Sequence, residues 1–427
     1  MQKLLLLFLL LYALLPGAQA QTAASPADTL HLSLEEAEKL FVARNLPLLA
    51  QKAAIEASKA AVIQARLFEN PELGLEQIIY NPTNGRYFDM SKAGQNAVTL
   101  EQLFYLAGKR NKRIKVEQFN SQLTEHEYAD LLRTLRYDLR TSFLQLHFLR
   151  QHYSVLQERT KNVQQLVNAF NEQYRKGNVP LKEITRLKAL LFSLENQQLA
   201  LAAEMQQEQA DLRLLTQTPA TTTLVPEVDD TALDNVKSEH LSYTQLLETA
   251  LEHRHDLKAA ETNVKLQQAN LTLQKALAVP DITVGGLYDK QSSIVRDYVG
   301  ITLSTTLPLF NRNQGNIKAA RSQMEQSQLL YTNQQQVVEN EVMQAFQKAR
   351  EAEQLYANFD PNFTGEFNRL IEGITSSFAR RHISLIEFLD YYETYTDTMA
   401  LLLELRSNRL QALEEINFVV GTPLIHY

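Results

Sequence analysis

Cysteine is absent from the 427-residue chain. That excludes a disulfide framework, a thiolate metal site, a cysteine nucleophile and lipidation on an N-terminal cysteine. An excess of positive charge is absent too: the net charge of −7 argues against a nucleic-acid partner. Beyond residues 1–20, no segment approaches the roughly 20 apolar residues of a transmembrane helix, so a mature chain that enters a membrane must do so as strands. Also missing are a glycine-rich phosphate loop, a Ser/His/Asp set and a paired-carboxylate motif, which leaves an enzyme reading without support and implies no cofactor. The pair His253 and His255 falls on different faces of a helix, whereas helical zinc pairs sit four apart. His147 and His152 fail the same test, and no metal site is expected.

Residues 1–20 read as a secretory signal. Lys3 supplies the positive start, Leu4 to Leu15 the apolar run, and Ala18-Gln19-Ala20 the small-x-small cleavage site. Pro16-Gly17 cuts the run too short for a membrane span.

Proline and glycine are missing from Asn111 to Tyr174, the stretch around which the chain is organised. In heptads, one seam is Leu132, Leu139, Leu146, Tyr153, Thr160, Val167 and Tyr174, and the other Leu135, Ser142, Leu149, Leu156, Val163 and Phe170. That is a sustained coiled-coil pattern. At 1.5 Å per residue it makes a rod about 90–100 Å long. Gly177 and Pro180 stop and turn it, and a second helix returns from Leu181 to near Leu215.

The rest of the chain follows one plan twice. Residues 21–31 read as a disordered leader. Ser33 and Glu36 form a capping box for a helix to about Arg44, and a second helix runs from Pro47 to about Phe68. Strands then span Pro71 to Tyr80 and Asn96 to Tyr105, followed by the long hairpin. Thr218 to about Glu239 reads as a linker. Leu241-Ser242 then repeats Leu32-Ser33 and Pro280 repeats Pro71 at one common offset. Strands from Asp281 to Tyr288 and from Tyr298 to Leu307 follow. A long helix after Asn311–Gly315 is interrupted at Phe359–Phe363 and resumes to Arg381, and a last helix runs from Leu385 to about Val419. Gln217-Thr218-Pro219 and Gly421-Thr422-Pro423 close the two copies. The expected organisation is a first repeat over 21–219, a linker over 220–240 and a second repeat over 241–427, with tips near 177 and 382.

Val299, Ile301, Leu303, Thr305 and Leu307 share one face of the last strand, and Gly300, Thr302, Ser304 and Thr306 the other. Ile282 and Val284 alternate likewise with Thr283 and Gly285. Tyr80, Phe104, Tyr105, Tyr288 and Tyr298 fall near strand ends, as an aromatic girdle would. A soluble sheet with one buried face shows the same alternation, but the export signal and the flanking rods favour a lipid-out, polar-in ribbon. Four strands cannot close a barrel with a lumen, and open edges are excluded from lipid, so this reading requires a symmetric oligomer.

Asn70-Pro71-Glu72-Leu73-Gly74-Leu75-Glu76, Leu106-Ala107-Gly108-Lys109-Arg110 and Leu307-Pro308-Leu309-Phe310-Asn311-Arg312-Asn313-Gln314-Gly315, with the duplicated topology, resemble the TolC-type outer-membrane efflux factors. These three segments look like the cation-efflux, CzcC-like branch, although Ala107 stands where that branch usually has glycine. The resemblance spans essentially the whole mature chain. It implies a mainly α fold with a small β part: helical hairpins forming an α-barrel in the periplasm, and four strands per protomer in a twelve-stranded transmembrane β-barrel of a homotrimer. It also implies a periplasmic adaptor, an inner-membrane pump of the resistance-nodulation-division type, outer-membrane lipid around the barrel, and passive export of cations or small toxic molecules. Glu387 and Asp390, one turn apart on a helix face, resemble the family's acidic aperture gate. Arg175, Gly177, Val179 and Leu181 at the first tip, with Arg380, Ile383 and Leu385 at the second, are the adaptor-docking candidates. The competing reading is a secreted periplasmic coiled-coil scaffold without a pore, which has no use for bilayer-length strands.

Overall fold

A computed structural model describes residues 28–236, 242–292, 295–360 and 362–426; the expected signal segment lies outside them. The first copy begins with β1 (Thr29–Leu32), α1 (Leu34–Arg44) and α2 (Leu46–Ala65). The capping box forms as expected: the Ser33 backbone N–H donates to Glu36 at 2.9 Å, and the Glu36 N–H donates to Ser33 Oγ at 3.3 Å. Asn45 ends α1 and caps α2, its Oδ1 accepting from Leu48 N–H at 3.2 Å.

The strands β2 (Glu72–Gln77), β3 (Tyr80–Asn81), β4 (Arg86–Tyr87) and β5 (Asn96–Phe104) come next. The first strand is shorter than its alternation suggested. Asn81 and Asn84 donate to the Asp89 carboxylate, which folds the chain into a separate small hairpin, β3 against β4. Helix α3 (Lys109–Arg175) then runs unbroken for 67 residues, about 100 Å at 1.5 Å per residue. Its heptad residues Leu139, Leu146, Leu156 and Val163 are almost wholly buried, while Tyr174 at its end is exposed. Helix α4 (Leu181–Thr216) packs back along it.

The described parts of the expected linker and leader carry secondary structure. Residues 223–226 form β6 (Thr223–Pro226), which pairs in parallel with β1, and α5 (Asp230–Asp234) follows. Leu32 and Leu224 carry the pairing into the apolar core. Each strand has only 4 residues, and its partner is far away in sequence, so neither shows a local period.

The second copy repeats the plan with α6 (Tyr243–His253), α7 (His255–Leu277), β7 (Ile282–Gln291), β8 (Arg296–Thr305), α8 (Gln314–Ala357), α9 (Phe363–Ala379) and α10 (Leu385–Val420). The four longer strands form one antiparallel sheet in the order β2-β5-β7-β8. Its central pairing, β5 with β7, joins the two copies. The rods pack through a string of apolar clusters that ends, at the tips, around Val179, Ile184, Phe378 and Phe388.

Candidate functional site

The two tips are built alike. Gly177 follows α3 with φ +79°, and Arg381 follows α9 with φ +65°. Gly177 N–H bonds the Tyr174 carbonyl and Asn178 N–H the Gln173 carbonyl, both at 2.9 Å. Arg381 N–H and His382 N–H bond the Phe378 and Ser377 carbonyls at the same distance. Each is the left-handed helix stop that satisfies the last carbonyls. Phe378 stacks on Phe170 at 5.0 Å and on Phe388 at 4.3 Å, so the two tips share one core.

That packing divides the seven expected docking residues. Arg175 is exposed and bridges Glu172 at 3.2 Å. Leu181 is exposed at 59 %, Arg380 is exposed and Ile383 half-buried. A Cβ on Gly177 would meet open space. Val179 and Leu385, in contrast, are buried in the core beneath the tips. They support the surface of the tips from below.

Of the acidic pair, Asp390 is exposed. Glu387 is committed to the helix start. Its carboxylate accepts from Ser384 N–H at 2.8 Å, and Ser384 Oγ accepts from Glu387 N–H at 3.2 Å. This is a second capping box. The Ser384 backbone N–H, then the Ser384 side chain, hold the Glu387 carboxyl below its ordinary range. The local signal for it, Ser-x-x-Glu after a break, is the same as at Ser33. Leu385, Phe388, Tyr392, Tyr395 and Met399 bury the opposite face of α10. Tyr392 donates to the Arg159 carbonyl at 3.0 Å, and Arg159 donates to Tyr395 Oη at 2.7 Å.

At the other end of the rods, register places Leu73 and Leu75, Val98 and Leu100, Val284 and Tyr288, and Val299, Ile301 and Leu303 on one face of the sheet. All of them are exposed, up to 86 % at Ile301. The other face carries Thr99, Glu101, Thr283, Thr302 and Ser304. Strands β2 and β8 are open edges of this sheet. The expected alternation is therefore present across all four strands, with its apolar face uncovered. Lys109, buried at the start of α3, bonds Asp281 at 2.7 Å and ties the sheet to the rod.

Among the described residues no group of three or more His, Asp or Glu side chains could hold a metal ion. One unexpected pairing is His126 with His255, Nδ1 to Nδ1 3.3 Å, from α3 and α7. Burial, then nearby Lys258, lowers the pKa of both rings, so the neutral pair can share one proton in an N–H···N bond. Nothing local marks His126, because its partner lies in the other copy. His147 instead bonds Asp230 at 3.0 Å.

Long paired rods, duplicated joints and a four-stranded sheet with an exposed apolar face define a class: an envelope channel protomer that joins a membrane sheet to a helical tunnel. A family model described as outer membrane efflux protein matches residues 39–217 and 246–422, and the chain belongs to that family. The cobalt-zinc-cadmium resistance protein CzcC of Cupriavidus metallidurans is 22 % identical over 299 residues, 70 % of this chain and 68 % of that protein. A crystal structure of CusC superposes with a TM-score of 0.72 at 18 % identity, covering 91 % of this chain and 92 % of that one. The Campylobacter jejuni CmeC outer membrane channel gives 0.73 at 14 % identity, covering 91 % and 85 %. The protein is a passive outer-membrane efflux channel with its long helices on the periplasmic side, and not an enzyme.

Proposed function

We propose that the chain acts as a homotrimer exporting divalent metal cations. In that trimer, β2 of one protomer pairs with β8 of the next, which satisfies both open edges and closes a barrel of three four-stranded sheets. The copies 21–219 and 241–427 supply two long strands each. The rods of three protomers enclose the periplasmic tunnel. Its tips meet a periplasmic adaptor through Arg175, Leu181, Arg380 and Ile383, and an inner-membrane pump of the resistance-nodulation-division type loads it. Glu387 and Asp390, repeated by the three-fold axis, ring the aperture and favour cations over anions. The metal cargo rests on the similarity to CzcC and on those carboxylates; drugs or peptides are the alternative cargo.

The single observation that carries this reading is the continuous exposed apolar face with an open strand at each side. Ile301 and Thr302 are neighbours on opposite faces of β8, so they test it. A lysine near the bilayer midplane on the lipid face of a barrel costs about 2–4 kcal/mol, whereas a lumen position tolerates charge. Ile301→Lys is expected to abolish heat-modifiable trimers and channel currents in planar bilayers, and Thr302→Lys to keep both and alter conductance. Equal behaviour of the two variants overturns the membrane reading. For the cargo, deletion of the gene is expected to lower tolerance to cobalt, zinc or cadmium; altered drug tolerance with unchanged metal tolerance overturns the metal assignment.

A further inference from the structure

The junction between sheet and rod carries a concentration of positive charge that a chain of net charge −7 does not lead one to expect. Lys109-Arg110-Asn111-Lys112-Arg113-Ile114-Lys115 opens α3 and contains no acidic residue. Lys109 is consumed by Asp281. Among the described residues, none of Arg110, Lys112, Arg113 and Lys115 forms an ion pair with a carboxylate. Arg110 lies 3.9 Å over the Phe68 ring and donates to the Arg66 carbonyl at 2.9 Å. Lys112 donates to the Ala107 carbonyl at 2.7 Å, and Arg113 lies 5.3 Å over the Tyr105 ring. Arg110 also lines a cleft of about 480 Å³ between the end of β5 and the segment at Phe68, with Phe104, Tyr105 and Asn111 on its walls. Phe68 is exposed at 71 % and Phe104 at 50 %. Glu69, also on the wall, accepts from the Tyr105 hydroxyl at 2.6 Å. The second copy places Phe310, exposed at 92 %, and Arg312 between β8 and α8, with Lys318 and Arg321 on the first turns of α8.

We propose that this belt is a binding site for anionic phospholipid of the inner leaflet. The inference rests on the membrane placement proposed above. Once the apolar sheet face lies in hydrocarbon, Phe68, Phe104 and Phe310 fall at the interface, and the arginines and lysines one or two turns below fall at headgroup depth. Guanidinium groups take phosphate oxygens in a fork, and exposed aromatic rings pack against glycerol and the upper acyl carbons. Cations with no carboxylate partner among the described residues, beside exposed aromatics, thus match a lipid that carries both a phosphate and an acyl chain, and charge complementarity selects an anionic one. The bound lipid fixes the height of the channel in the bilayer.

The test is lipid retention by the purified channel from micelles doped with equal phosphatidylglycerol and phosphatidylcholine. Wild type is expected to enrich phosphatidylglycerol, with the enrichment falling as NaCl rises. Removal of each basic side chain is expected to weaken retention about fivefold, so Arg110→Gln/Lys112→Gln/Arg113→Gln together remove the preference. The charge-keeping Arg110→Lys/Arg113→Lys variant is expected to retain it. Equal retention of the two lipids by wild type, or an unchanged preference in the triple Gln variant, overturns the proposal. If the triple variant fails to assemble, the wild-type salt series decides. A wild-type protein that enters no bilayer refutes the membrane placement itself, whereas a trimer that conducts without lipid preference refutes only this site.

Discussion

Asn45 and Arg254 close the same joint in the two copies. Each ends one helix and begins the next with nearly the same backbone, φ −60° and ψ 114° at Asn45, φ −64° and ψ 121° at Arg254. Each is about 2 % exposed. Asn45 Nδ2 donates to the Leu215 carbonyl at 3.1 Å and Arg254 Nη1 to the Val419 carbonyl at 3.4 Å, matching positions near the ends of α4 and α10. The duplicated chain thus solves one geometric problem with a neutral amide in one copy and a buried cation in the other.

The two solutions differ in what their loss exposes. Arg254 also bonds Asp256 and Glu341, so truncation leaves Glu341 without its cation and Asp256 with only the more distant Arg133 at 3.8 Å. Arg254→Ala is expected to destabilise by about 3–5 kcal/mol, and Asn45→Ala by about 1–3 kcal/mol, the cost of losing its cap to Leu48 N–H and its bond to the Leu215 carbonyl. Chemical denaturation of the assembled protein, compared across the two variants, checks the order. An Asn45 variant as damaging as the Arg254 variant counts against it.

At the second tip, charge and capping reside in one side chain, Glu387, and two substitutions separate them. A glutamine at this position of a capping box still accepts from the backbone. Glu387→Gln is therefore expected to reduce cation preference in bilayer recordings without fraying α10, and Glu387→Ala to do both. Because the folded-state pKa is lowered from 4.5, the stabilisation is full above that value and is lost as pH falls through the lower, folded one. Amide protection at the start of α10, taken relative to the intrinsic exchange rate at each pH, is expected to fall only below about pH 4.5 in wild type, and to be pH-independent there in the Gln variant.

The left-handed stops differ in strain. A side chain at positive φ costs about 1–2 kcal/mol, which Arg381 carries and Gly177 avoids. Arg381→Gly is expected to raise stability by about 1 kcal/mol or less, since glycine also loosens the unfolded chain. Gly177→Val, into open space but with a β-branched residue at φ +79°, is expected to distort the tip and abolish efflux while trimers persist. Thermal melts and metal-tolerance plating read the two effects separately. Normal tolerance with Gly177→Val removes the first tip from the docking surface.

Much of this architecture was legible in the residues themselves, because it rests on local periods. The heptads of α3, the punctuation at Gly177 and Pro180, the alternation around Ile301 and the recurrence of Leu-Ser and Thr-Pro segments each repeat over a span the chain can show. The capping boxes at Ser33 and Ser384 were equally local. What only the tertiary structure decided depends on partners far apart in sequence. It paired β1 with β6 inside segments that look like leader and linker. It joined the copies through β5 and β7, and brought His126 to His255. It buried Val179 and Leu385 while leaving Leu181 exposed and Ile383 half-buried. Side-chain period determines which face of an element is apolar, but burial is settled by what packs against that face, and only the folded chain assembles that contact.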